Sequence, residues 1–498
     1  MKIARRTQCI LLIVLIFGIL LTVANGQSDD LPAGQMTNQL NPYGGADPWL
    51  QYYEGYYYLT TTTWRSELIM LRSETLAGLK TATPVQIYAE SDPSRCCNMW
   101  APEFHLLEGP NGLRWYYYYS AGTSGTLDNQ RTHVLESEGT DPMGPYHYKG
   151  RIFDPFNDVW AIDGSVLQLD GQLYFLFSSW VGAYQNTFIA PMSDPWTISG
   201  PRVLIAQPIY EWEQSGGNVN EGAVALYDDD DVFIIYSASS CSTPDYSLGM
   251  LTYLGGDPLD PNAWEKHPEP VFRRSDANGV FGTAHNGFFT SPDGTENWIV
   301  YHANDSSSGG CDDNRTTRVQ PFTWNDDGTP NFGEPIAPDT PIAMPAGDTG
   351  IDPIPSFDDL VLSRFRSMIY ESGYLRHSDV VARVDVDPFP AEDAEFWVLP
   401  GLADSDAISI RSINLPGYFL RHENNALIFA PYDGSEAFAQ SATWYIRDGL
   451  ADAEWISFES YDQPGFYIGQ RFGVMALVEV TDTMPDAMRQ DATFLEER

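Results

Sequence analysis

Four carboxylates and one imidazole recur in this chain at a spacing that could bring them together. They sit in short elements that set a polar residue beside small or apolar ones: Ala46-Asp47-Pro48-Trp49, Ala101-Pro102-Glu103-Phe104, Ile162-Asp163-Gly164-Ser165, Asn220-Glu221-Gly222-Ala223 and Ala284-His285-Asn286-Gly287. The polar members are separated by 56, 60, 58 and 64 residues. Any single Asp or Glu among 68 acidic residues is more often a solvated turn or surface group. A shared place in a repeat sets these apart. Like charges held in close quarters cannot all ionise freely, so such a cluster must be paired, solvated or used. Carboxyls whose pKa values are driven apart are the equipment of general acid and general base catalysis.

The elements that must position them are legible as a second repeat just downstream. Strongly β-prone runs recur as Tyr56 to Leu59, Trp115 to Tyr119, Leu173 to Phe177, Val232 to Tyr236 and Trp298 to Tyr301, with centres 60, 58, 59 and 65 residues apart. Each follows a turn, such as Glu54-Gly55, Asn111-Gly112 or Asp170-Gly171. Five units of this length, each with several short strands, predict an all-β fold beginning with a five-bladed β-propeller. In a propeller the first strand of every blade lines the axis, so equivalent positions converge on one small region.

Seven prolines between Gly328 and Phe357 then break the pattern and mark a linker. Beyond it a different motif appears three times: Ser372-Gly373-Tyr374-Leu375-Arg376-His377, Pro416-Gly417-Tyr418-Phe419-Leu420-Arg421-His422 and Pro464-Gly465-Phe466-Tyr467-Ile468-Gly469-Gln470. Threefold similarity in an all-β segment predicts a β-trefoil. The expected organisation is a signal peptide at 1–26, a propeller at 27–346, a linker at 347–360 and a trefoil at 361–498.

Composition narrows the function. The 498 residues exceed what one hydrophobic core usually serves, and the net charge of −41 would repel nucleic acid or an anionic membrane. Lys2, Arg5 and Arg6 precede an apolar stretch from Cys9 to Val23, with small residues at Ala24 and Gly26, which reads as an export signal. The mature chain is expected to be secreted, extracellular and monomeric, without a membrane span. Cys96, Cys97, Cys241 and Cys311 then favour disulfides over metal ligation. Cys241 with Cys311 is the preferred pairing, while Cys96 and Cys97 could bridge each other or pair elsewhere. Asn304-Asp305-Ser306 and Asn314-Arg315-Thr316 fit glycosylation acceptors.

The first-half motifs, including Gly45-Ala46-Asp47-Pro48-Trp49, Met99-Trp100-Ala101-Pro102-Glu103 and Gly282-Thr283-Ala284-His285-Asn286-Gly287, resemble glycoside hydrolase family 43 over about residues 40 to 345. The resemblance is nearest to its exo-acting α-1,5-L-arabinofuranosidase branch. It implies Asp47 as general base, Glu221 as general acid and Asp163 as the charge that raises and orients Glu221. It also implies inversion at the anomeric carbon, with the acid and the base roughly 6.5 to 9.5 Å apart. Trp100, Glu103 and Arg318 are candidate substrate contacts. The bland readings are blade packing for Trp100, channel hydrogen bonding for Glu103 and a surface salt bridge for Arg318. His285 is either a hydrogen-bonded core residue or, as the family implies, a neighbour of calcium or another ion in the channel; no cofactor is expected for the chemistry.

The three later motifs resemble the arabinose-binding trefoil of arabinofuranosidase B type, carbohydrate-binding module family 42. By that resemblance His377 and Asp393 complete a first pocket, His422 belongs to a second that has Ser441-Ala442-Thr443-Trp444, and Asp491 to a third that has Gln470. Only the first has both expected residues. Expected partners are arabinan, arabino-oligosaccharides or arabinoxylan, and loss of the trefoil is expected to weaken polymer binding while sparing short substrates. An endo-arabinanase, an arabinoxylan-trimming enzyme and a non-catalytic carbohydrate-binding protein are the competing functions.

Overall fold

A computed structural model describes residues 34–498 apart from 42–43, 230, 349–360, 416 and 482. The expected signal peptide and nearly all of the expected linker lie outside the described residues. Among the described residues no helix is long and apolar enough to cross a membrane.

Five antiparallel sheets follow one another along the chain, and their first strands are Trp49–Tyr53, Cys97–Gly109, Ile162–Leu169, Asn220–Asp228 and Phe281–Thr290. The β-prone runs form the second strand of every sheet, for example Gly112–Gly122 in blade 2. Tyr116, Tyr117, Tyr118 and Tyr119 are all fully buried although successive strand side chains point to opposite faces. Tyr117 and Tyr119 pack toward blade 1, and Tyr116 and Tyr118 pack toward blade 3. A sheet covered on both faces removes the polar alternation of a half-buried strand, which explains the unbroken aromatic runs. The same packing fills the other seams between consecutive blades. Closure comes where blade 5 meets the segment leading into blade 1: Leu40 N–H donates to the Thr317 carbonyl at 2.8 Å, and Thr317 N–H donates to the Asn41 carbonyl at 3.1 Å.

Twelve strands, from Val361–Ser367 to Phe494–Glu497, form the second unit as one connected sheet around a core that includes Phe365, Phe396, Trp444 and Phe458. The three Arg-His or Gly-Gln motifs occupy equivalent strands, Gly373–Ser378, Tyr418–Glu423 and Phe466–Arg471. This unit is docked on the propeller as well as tethered to it. Tyr418 O–H donates to Glu67 Oε1 at 2.6 Å, Gln86 N–H donates to the Tyr432 carbonyl at 2.7 Å, and the Arg65 guanidinium lies 5.0 Å from the centroid of the Tyr418 ring.

Cys241 bonds Cys311, a separation of 70 residues that ties the loop after the second strand of blade 4 to its counterpart in blade 5. Closing a loop of that length stabilises the fold by about 4 kcal/mol in the chain-entropy account. Cys96 bonds its neighbour Cys97. Of the two glycosylation motifs, Asn304 is buried and donates its amide to the Gly310 carbonyl at 3.3 Å, so only Asn314 is exposed to receive a glycan.

Burial raises the Glu67 carboxyl above its ordinary range, against the opposing effect of the Tyr418 hydroxyl. Tyr418→Phe is therefore expected to leave Glu67 without that donor and to destabilise the chain by about 1–3 kcal/mol, read as an earlier denaturant midpoint.

Candidate active site

The innermost strands are bulged where the site is built. Asp47, Ala101, Asp163, Gly222 and His285 all have positive φ, between 47° and 55°, one in each blade. Ladder register shifts accompany this in blades 2 to 5. A bulge frees a backbone N–H from its own sheet. Here each freed donor is taken by a side chain of the preceding blade: Ala101 by Thr62 Oγ1 at 2.9 Å, Asp163 by Ser120 Oγ at 3.0 Å, Gly222 by Asp163 Oδ2 at 3.0 Å and His285 by Ser237 Oγ at 2.9 Å. Asp47 N–H closes the ring on His302 Nδ1 of blade 5 at 3.1 Å. The structurally equivalent positions are thus Asp47, Ala101, Asp163, Gly222 and His285. Glu221 lies one residue before its bulge and Glu103 two residues after, so the polar residues do not share one repeat position as the sequence spacing suggested. An L residue at positive φ is strained, and such strain persists where the surroundings over-determine it.

Asp47, Asp163, Glu221 and His285 are brought together; the first two and His285 are buried, and Glu221 is partly exposed. Asp47 Oδ2 accepts from Thr62 Oγ1 at 2.6 Å, and Oδ1 accepts from Arg315 Nη1 at 3.0 Å. His285 Nδ1 stands 3.4 Å from the same Oδ1. Burial by itself would raise the Asp47 pKa, but Arg315, His285 and His302 outweigh it and hold the carboxyl well below the usual range. Glu221 accepts from Tyr246 O–H at Oε1, 2.9 Å, and from Gln185 Nε2 at Oε2, 2.6 Å. Burial pushes Glu221 up despite these donors, and the negative charge of Asp47 adds to the effect. Asp163 is raised for the same first reason, with Glu221 and Asp47 reinforcing burial and His285 opposing it. The two raised carboxyls titrate as a pair. His285 would lose its proton to burial alone, but Asp47, Asp163 and Glu221 lift its pKa above the ordinary value. His302 behaves oppositely: burial and then Arg315 depress it to about 3, so it is neutral. Because its Nδ1 accepts from Asp47 N–H, the proton of neutral His302 is assigned to Nε2.

The remaining expectations fare unevenly. The Trp100 indole meets Trp64 edge-on at 5.6 Å and is only partly buried. Glu103 is buried with Oε2 2.9 Å from His105 Nε2. Arg318 is fully buried but turns from the carboxylates to pair with Asp305 and donate to Thr316 Oγ1 at 3.1 Å. The arginine that reaches Asp47 is Arg315, three residues earlier. Nothing supports calcium beside His285: among the described residues no group of three His, Cys, Asp or Glu side chains is arranged to hold a metal, and His285 and Arg315 themselves stand against Asp47.

Sequence reasoning passed over Arg315, Thr62, Gln185, Tyr246 and His302. The motif Arg315-Thr316-Thr317-Arg318 was a signal for an arginine, but strand alternation could not choose which one faces the axis. The disulfide helps to decide it, since Arg315 Nη2 donates to the carbonyl of bridged Cys311 at 3.1 Å. Tyr246, His302 and His285 form a stack, with centroids 5.6 and 6.0 Å apart, assembled from blades 4 and 5.

In the trefoil, His377 Nε2 and Asp393 Oδ1 are joined through Asn414, whose side chain meets them at 2.8 Å each, and Arg376 also pairs with Asp393. His422 finds Asp462 at 2.7 Å, a partner that the sequence comparison with Ser441 had missed. Gln470 donates to Asp491 beside a cavity of about 320 Å³ flanked by Tyr370 and by Phe472, which is wholly exposed. The third repeat therefore has an open pocket, although Gln stands where the pattern has His.

Residues 36–330 match the family model described as glycosyl hydrolases family 43, and residues 363–495 match that of the alpha-L-arabinofuranosidase B domain. An extracellular exo-alpha-(1->5)-L-arabinofuranosidase of Streptomyces avermitilis is 36% identical over 433 residues, spanning 84% of this chain and 85% of its own length. Alpha-L-arabinofuranosidase 43 of Humicola insolens is 32% identical over 392 residues, 76% of each chain. Among solved structures, an alpha-L-arabinofuranosidase from Lactobacillus brevis superposes with a TM-score of 0.57 at 34% identity, covering 61% of this chain and 98% of that one.

Two outcomes follow from the electrostatics. Arg315→Met should raise the Asp47 pKa and so move any activity limb that requires ionised Asp47 to higher pH, measured as a pH profile of kcat/KM. Asp163→Asn should stabilise the fold. The wild-type carboxyl has a raised folded pKa, so above the unfolded value near 4 the native state holds a proton that the unfolded chain releases, and stability falls as pH rises toward the folded pKa. The gain in Tm from the substitution should thus be larger at pH 7 than at pH 4.

Proposed function

Because this chain belongs to glycosyl hydrolases family 43, whose enzymes invert anomeric configuration and need no cofactor for the chemistry, we propose that it is an extracellular exo-α-L-arabinofuranosidase releasing L-arabinose from α-1,5-linked arabinan or its oligosaccharides. The exo mode and the linkage are supported by the printed activity of the Streptomyces relative. A second relative from Streptomyces chartreusis has the same printed activity at 35% identity.

The observation that carries the reading is the opposite displacement of carboxyl pKa values inside one buried site: Asp47 is driven down, and Glu221 with Asp163 is driven up. Asp47, ionised and gripped by Thr62 and Arg315, is the general base that takes a proton from the attacking water. Glu221 is the general acid. It hands its proton to the departing glycosidic oxygen as the bond from the anomeric carbon breaks, while water adds to the opposite face. Asp163 shares a proton with Glu221, so that ionised Asp163 and protonated Glu221 go together, and it orients the strand by accepting from Gly222 N–H. Positive His285 sits among all three and balances their charge. Trp100 offers a ring face for the sugar, and Glu103 a hydrogen-bonding group of the channel. The trefoil pockets at His377 and Asp393, His422, and Asp491 hold arabinofuranosyl units of the polymer and raise the local concentration of enzyme on it.

Proton NMR of a short α-1,5-arabino-oligosaccharide is expected to show β-arabinose as the first product, with monomer and no ladder of intermediates. An α-anomer would contradict inversion, and a ladder would favour endo action. Asp47→Asn and Glu221→Gln should each lower kcat about 100- to 10,000-fold, the usual range for loss of a general acid or base. Sugar release at the wild-type rate by both variants would remove the proposed roles.

A further inference from the structure

A cavity of about 50 Å³ lies where the trefoil is docked on blade 1. Its propeller walls include Asn41, Thr61 and Lys80, and its trefoil walls include Trp397, Arg411 and Ser412. Arg411 belongs to the strand Ile408–Ser412, where it is paired with Trp397 on one side and Phe419 on the other. Among the described residues no group accepts a hydrogen bond from its guanidinium and no carboxylate pairs with it. Other arginines of the trefoil do have partners: Arg366 meets Glu497 at 2.8 Å, Arg447 meets Glu459 at 2.7 Å, and Arg421 lies 4.7 Å from the centroid of the Phe438 ring. Burial depresses the Arg411 guanidinium to about 10 with no neighbouring charge opposing it, so at neutral pH it remains a cation.

A cation taken out of water is costly unless it is paired. Among the described residues the cavity wall holds two cationic side chains and no carboxylate, in a chain whose net charge is −41. Lys80 Nζ donates to Thr37 Oγ1 at 3.0 Å, whereas the charge of Arg411 is met by nothing on the protein. Volume selects the counter-ion. One water needs about 10–15 Å³ and small-molecule sites begin near 300 Å³, so this cavity admits a small anion with a water or two and no sugar unit. The walls select further: Leu59, Ile69, Leu79 and Ile413 are apolar, and the cost of dehydrating an ion grows with the square of its charge, which favours a monovalent anion over sulfate or phosphate. Screening over about 8 Å at physiological ionic strength keeps the distant acidic surface from opposing entry.

We propose that the seam cavity beside Arg411 is a binding site for one small monovalent inorganic anion of about the size of chloride, and that its occupancy fastens the trefoil to the propeller. Asn41 and Thr61 face the anion from one unit, and Arg411 and Ser412 from the other, so a single ion bridges both. The stability of the docked chain then depends on which anion the solution supplies. This dependence holds whether or not the arabinofuranosidase reading above does.

The test follows thermal unfolding of the full chain, wild type and Arg411→Met, in sodium chloride, sodium bromide and sodium gluconate at one ionic strength, gluconate being too large for the cavity. Wild-type Tm should be higher in chloride and in bromide than in gluconate, by roughly 2–4 °C for a tenfold excess of anion over its Kd. Arg411→Met should lose that difference and, having no unpaired charge to bury, should be at least as stable as wild type in gluconate. The same wild-type Tm in all three salts, or an equal response in the variant, would overturn the site. Should Arg411→Met fail to fold, a bromide-soaked wild-type crystal decides: an anomalous peak in the cavity in contact with the Arg411 guanidinium is expected, and water alone at that position would overturn the proposal.

Discussion

Two cations facing three carboxyls in a buried ring is the constraint on which the site depends. Arg315 and His285 can balance two negative charges, and a third unbalanced charge out of water is too unfavourable to persist. One carboxyl therefore keeps its proton. Position decides which group yields: Asp47 touches Arg315 and stays ionised, whereas Asp163 and Glu221 lie farther from the guanidinium and share what remains. The ionised state of the proposed base and the protonated state of the proposed acid at one pH thus come from a single charge balance rather than from separate devices.

The backbone imposes a matching condition. Positive-φ kinks, bulges in the case of Asp163 and His285, aim Asp47, Asp163 and His285 toward the axis, and each relies on the neighbouring blade to accept its freed N–H. No blade completes the geometry alone. Gly222 illustrates the tightness, since a Cβ there would lie 3.2 Å from both His285 Nδ1 and Ser237 Oγ, at a φ of 55°. The disulfide between Cys241 and Cys311 serves the same end, holding the segment from which Arg315 reaches Asp47.

The trefoil takes part in this construction. Tyr418 buries its hydroxyl on Glu67, and the short segment from Thr62 to Glu67 connects that contact to the proposed base. A module added only for attachment to polymer would need no such contact. Docking places Asn414, the partner of His377 and Asp393, against the propeller and leaves the cavity beside Gln470 and Asp491, with exposed Phe472, open.

Sequence alone determined the architecture, because covering both faces of every blade requires an apolar second strand that recurs at a fixed period, and a threefold motif has few all-β solutions. It also picked out Asp47, Asp163, Glu221 and His285, whose small neighbours mark the bulged inner strands. What it could not supply was anything set by which side of a strand faces the axis or by what a neighbouring blade contributes. Arg315 rather than Arg318, the donors Gln185 and Tyr246 on Glu221, the acceptor His302 under Asp47 and the partner Asp462 of His422 all come from segments far apart in the chain. Only closure of the ring and of the barrel brings those groups within hydrogen-bonding distance, and a one-residue bulge is enough to reverse which side chain arrives.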